Sequence, residues 1–120
     1  MTAMRILLPA ILLLLGHTAW AAPTLSDVGC HQEGRLHSIS GTTPTKVTFI
    51  NSSDRPIRTY WLNYTGKRVY YAEVLPGQRY TQETFVTHPW LITDSPSGEC
   101  RAVFQPVPHS GTVVYEAPAE

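Results

Sequence analysis

From Arg35 onward the chain breaks into short runs in which apolar and polar residues alternate, separated by turn-forming clusters. Period-two alternation marks strands with one buried face. Candidate strands are Arg35–Ile39, Lys46–Ile50, Ile57–Tyr64, Lys67–Leu75, Arg79–Val86, Trp90–Thr93, Cys100–Gln105 and Gly111–Tyr115. Between them lie Gly41-Thr42-Thr43-Pro44, Asn51–Pro56, Thr65-Gly66 and the loop Asp94–Gly98. Leu75-Pro76-Gly77-Gln78 fits a type II turn, with Pro fixing φ and Gly accepting a positive φ. Ala22–Gly29 reads as a loose lead and Glu116–Glu120 as a frayed tail. Helical periodicity is absent after the first 21 residues. Seven or so runs at about ten-residue spacing predict an all-β fold, an antiparallel seven-stranded β-sandwich.

The alternation also predicts faces. In Ile57–Tyr64, Tyr60, Leu62 and Tyr64 share a face that reads as core, which leaves Trp61 between Thr59 and Asn63 on the more polar face. In Lys67–Leu75, Tyr71 shares a face with Lys67 and Glu73. A tryptophan on a polar face either covers a sheet edge or loop, or it meets a ligand. A third aromatic cluster, Phe85 to Trp90, contains the one histidine that directly precedes a Pro-Trp pair, His88.

The first residues change the picture of where the domain works. Arg5 precedes the apolar run Ile6–Leu15, and Ala19-Trp20-Ala21 supplies an A-x-A cleavage signal, the layout of a secretory signal peptide. As a membrane span the run is short. The expected division is a signal peptide at 1–21 and one β-sandwich domain at 22–120, its core at about 30–115, with no membrane span in the mature form. Nine Lys+Arg balance nine Asp+Glu, and loss of Arg5 tips the mature chain to one net negative charge. Nucleic acid is therefore not an expected partner. Export to a secreted or periplasmic location puts the only two cysteines, Cys30 and Cys100, in an oxidising compartment. Their expected disulfide stabilises by roughly 4 kcal/mol through the long loop it closes. Two cysteines without matching histidines are poor zinc ligands, so neither metal nor cofactor is expected.

Four motifs then keep a common register: Val47–Ser53, Tyr60-Trp61-Leu62-Asn63-Tyr64-Thr65-Gly66, Leu75-Pro76-Gly77 and Thr87-His88-Pro89-Trp90-Leu91. Together they resemble the β-domain of the von Hippel–Lindau tumour suppressor family over roughly Ser38–Pro108. The resemblance implies a seven-stranded sandwich that reads 4-hydroxyproline in an extended peptide. By position it implies pocket aromatics at Trp61 and Tyr71, a further tryptophan at Trp90, and hydroxyl partners at His88 and Thr84. Thr84 stands where the family has serine. Glu83 and Phe85 replace a histidine and a tyrosine that contact the peptide, so the family's peptide preference does not transfer. Neither a counterpart of the family's helical domain nor a ubiquitin-ligase adaptor is expected.

These readings point to a non-enzymatic module that binds a protein or peptide ligand, one containing 4-hydroxyproline or proline. The alternative is a structural or adhesion sandwich that keeps the fold without the pocket. Catalysis has little support: His88 with Thr84 or Ser110 could pair as base and nucleophile, but no acidic orienter is evident. Asn51-Ser52-Ser53 and Asn63-Tyr64-Thr65 match the N-glycosylation sequon.

Overall fold

The computed structural model describes residues 22–116, so the expected signal peptide lies outside the described residues. Within them are seven strands: β1 (Pro44–Asn51), β2 (Ile57–Leu62), β3 (Arg68–Val74), β4 (Arg79–Phe85), β5 (Trp90–Asp94), β6 (Cys100–Phe104) and β7 (Gly111–Tyr115). They form two sheets, ordered β4-β1-β7 and β3-β2-β5-β6, the predicted sandwich. Every pairing within the sheets is antiparallel except β1 with β7, which run parallel. Leu75–Gln78 turns as expected, with Gly77 at φ 78° and the Gln78 amide donating to the Leu75 carbonyl.

β1 shows why the chain folds this way. Thr45, Val47, Phe49 and Asn51 are buried and alternate with more exposed residues, so one face turns inward. Phe49, Ile57, Val74, Trp90, Ile92, Phe104 and Val113 fill the space between the sheets. All of β5 is buried, because both of its faces are covered. Its outer side belongs to a second cluster of Leu62, Leu91 and Val103, against which Leu36, Tyr60 and Cys100 pack.

That second cluster overturns two expectations. Arg35–Ile39 is not a strand, and the chain before it is not loose. Cys30–Gln32 is a short 3-10 turn, and the stretch from Pro23 to Ile39 lies as a strap against both sheets. The Leu25 amide donates to the Thr112 carbonyl and the Thr112 amide to the Pro23 carbonyl, each at 2.8 Å. The Val28 amide donates to the Val103 carbonyl, and Asp27 Oδ1 accepts from the amides of Gly29 and Val103. Cys30 and Cys100 form the expected disulfide. Leu36 covers the outer face of β2, β5 and β6, which a pattern read as one core face and one wet face cannot anticipate. Thus the core-facing side of β2 carries Ile57, Thr59 and Trp61, the reverse of the expected assignment. Thr59 is tolerated there, fully buried, because its hydroxyl reaches the Ala72 carbonyl at 3.3 Å.

The first of the two sequons lies in a buried turn. Asn51 is fully buried, and its Nδ2 donates to the carbonyls of Arg55 and Val74. Its Oδ1 accepts from the amide and hydroxyl of Ser53, so its side chain is consumed in building the turn.

Candidate functional site

Trp61 and Trp90 stand directly opposite one another on β2 and β5, and the expected site is assembled around that pair. Each indole N–H is spent within the protein. Trp90 Nε1 donates to Thr84 Oγ1 at 2.9 Å, and Trp61 Nε1 donates to Ser38 Oγ at 2.7 Å. Both rings are thereby left as apolar surfaces.

Tyr71 reaches this side of the sheet through a bulge. Thr59 pairs with Ala72 and Tyr60 with Tyr70, so Tyr71 is the extra residue on β3. A regular strand would send Tyr71 and Ala72 to opposite faces, and the extra residue lets the Tyr71 ring share the core-facing side with Ala72 and settle edge-on to Trp90, 4.9 Å between centroids. Tyr71 stays 44% exposed, whereas Trp90 is 2% exposed. Trp90 therefore supports Tyr71 and Thr84 from beneath, with Phe49 on its core side at 5.9 Å.

His88 occupies the other half. After Phe85 the chain turns, with the His88 amide donating to the Phe85 carbonyl, and Pro89 leads into β5. The imidazole lies 5.3 Å from Trp61, 5.5 Å from Tyr64 and 5.2 Å from Phe85 between ring centres. Its Nε2 is 3.3 Å from the Tyr64 hydroxyl. Burial pushes its pKa below the usual histidine value, against a smaller opposing effect of the Ile39 backbone. A neutral ring offers one donor and one acceptor nitrogen.

Trp61 and His88 thus come together, as do Tyr71, Trp90 and Thr84, and the facing tryptophans join the two groups. Among the described residues no hydrogen bond links Thr84 to His88. A cleft of about 540 Å³ shares only Thr84 with the expected set; Phe85, Pro44, Lys46, Glu83 and His109 line it beside Thr84. Sequence reasoning missed Ser38 and placed Tyr64 in the core, yet Tyr64 is 54% exposed and stacks edge-on to Trp61 and His88. Tyr64 lies in the turn after β2, where strand alternation no longer holds. Nothing in the local pattern of Ser38 marks it, since its partners lie 23 and 24 residues away.

Compared with known families, residues 36–106 match the VHL beta domain. The match takes in β1 to β6, all five expected site residues, Ser38 and Tyr64.

Proposed function

Because the chain belongs to the VHL beta domain family, whose β-domains bind protein partners, we propose that it binds an extended peptide carrying 4-hydroxyproline or proline. The observation that carries this reading is the Trp61–Trp90 pair with both N–H groups consumed. A prolyl ring is rigid and largely apolar, and it suits aromatic surfaces that make no polar demand. Trp61, Tyr71 and Tyr64 supply exposed or half-buried rings around that pair. The hydroxyl of 4-hydroxyproline would meet Thr84 and His88. Thr84 accepts from Trp90 and still holds its own proton to donate. His88 would supply a neutral imidazole nitrogen from the other group. An unpaired buried polar partner costs about 1–3 kcal/mol, enough to separate proline from hydroxyproline tenfold or more.

Among the described residues no strand pairs with the outer edge of β4, which leaves it for an extended chain. Glu83 and Phe85 lie on that edge and give it a preference different from the family's histidine and tyrosine. The disulfide and the leader read from the sequence support a secreted or periplasmic setting for this binding.

The test is a titration of the oxidised domain with matched proline and 4-hydroxyproline peptides, followed by tryptophan fluorescence. Saturable binding of the hydroxylated peptide, lost in His88→Ala, is expected. A folded sample that binds neither peptide favours the second reading, a structural or adhesion sandwich. The burial of His88 at 8% and Trp90 at 2% speaks for that reading, since packed side chains also serve the fold alone.

A further inference from the structure

We propose that Ser38 is a positioning residue of this site, the group that fixes the Trp61 indole so that its face meets the ligand. The inference rests on the peptide-binding reading above and names a residue that reading did not include. Ser38 is 2% exposed although it sits on the strap, outside both sheets. Its hydroxyl works in both directions: it donates to the Leu62 carbonyl at 2.5 Å and accepts the Trp61 Nε1 proton at 2.7 Å. Its amide donates to the Asn63 carbonyl, so the backbone is held on β2 as well.

A half-buried tryptophan rotates about its side-chain torsions unless something distinguishes one edge of the ring. Ser38 makes that distinction, because only one ring orientation delivers the N–H to its hydroxyl. The next residue fixes the opposite wall. The Ile39 amide donates to the Thr87 carbonyl, and Thr87 Oγ1 donates to the Ile39 carbonyl at 2.7 Å, immediately before His88. Ser38-Ile39 therefore sets the relation between the Trp61 and His88 rings, which stand 5.3 Å apart and tilted by 32°. It does so without touching a ligand.

The experiment combines peptide titration with nitrogen-15 spectra of the tryptophan indoles in the full oxidised domain. In the wild type the Trp61 Nε1 proton is expected to exchange slowly, and in Ser38→Ala to shift and exchange at least tenfold faster. The same variant is expected to bind a blocked peptide centred on 4-hydroxyproline about tenfold more weakly. In a Trp61→Phe background, Ser38→Ala is expected to cause no further loss, since the N–H through which it acts is gone. An additional tenfold loss in that background, or unchanged affinity in Ser38→Ala alone, overturns the proposal. If Ser38→Ala does not fold, rapid exchange of the Trp61 indole proton in the wild type still overturns it and slow exchange supports it. If the wild type binds no peptide, the function proposed above falls, and the indole measurements decide by themselves whether Ser38 holds Trp61.

Discussion

The two open sides of this sandwich are treated in opposite ways. On one side the edges of β6 and β7 are taken up by the strap, whose backbone bonds to Val103 in one sheet and Thr112 in the other. On the other side, among the described residues, β3 and β4 end their sheets without a further strand. There the bulge at Tyr71 breaks the β3 edge, and exposed aromatics gather. Unpaired edges invite association with other chains, so proteins usually blunt them. Here one side is closed for stability, and the other keeps a single regular edge, β4, next to the aromatic rings. Substitutions on the closed side should cost folding energy, and those on the open side should cost binding.

The largest effect is expected from the disulfide. Replacing Cys30 and Cys100 together by serine frees a pair separated by 70 residues and should lower stability by about 4 kcal/mol, read from denaturant unfolding. A loss below about 1 kcal/mol would mean that the strap holds by its other contacts alone. Next comes Leu25→Ala on the same side. Leu25 belongs to the core cluster, so a cost of about 2–3 kcal/mol is expected, with peptide affinity unchanged. Tyr71→Ala on the open side should show the inverse: about 1 kcal/mol in stability, for its edge-on contact with Trp90, and about a tenfold loss of peptide affinity. Equal affinity in Tyr71→Ala would erase the contrast between the two sides.

The smallest effect is a pH dependence. Burial keeps the folded-state pKa of His88 below its unfolded value of about 6.5. The unfolded chain therefore takes up a proton at His88 as pH falls through that value, before the folded chain does. Stability is then lost on acidification below about pH 6.5 and is fully present above it. Unfolding midpoints of the wild type and His88→Gln, compared at neutral and mildly acidic pH, should diverge in that sense.

Much of this architecture is legible in the sequence. Turn residues at Pro76-Gly77 and Ser97-Gly98 bracket strands that the structure contains, and β1 alternates as a half-buried strand should. The faces of β2 were not legible. Leu62 and Tyr60 read as core because they are apolar, and they are indeed covered, but by the strap and on the outer side. Thr59 and Trp61 read as polar-facing, yet a hydrogen bond to Ala72 lets the threonine sit in the core. Period-two patterns assume that one face is wet, and a strand covered on both sides removes that assumption. The same covering hid Ser38, whose role depends on contacts far along the chain. The aromatic members of the site were legible through motif register, whereas their division into two groups joined at the Trp61–Trp90 pair depends on a bulge that the alternation does not announce.

The strap also imposes an order on assembly. Residues 23–39 are synthesised before every strand, yet their partners include Asn63, Thr87, Cys100, Val103 and Thr112. A growing chain has nowhere to dock residues 23–28 until β6 and β7 have been made, and β1 likewise waits for β7. Contacts between such distant parts of a chain form slowly, because the intervening loop must close first. The segment that holds Trp61 and borders His88 has all its partners once Thr87 has been made, whereas the first half of the strap locks down only in a finished molecule.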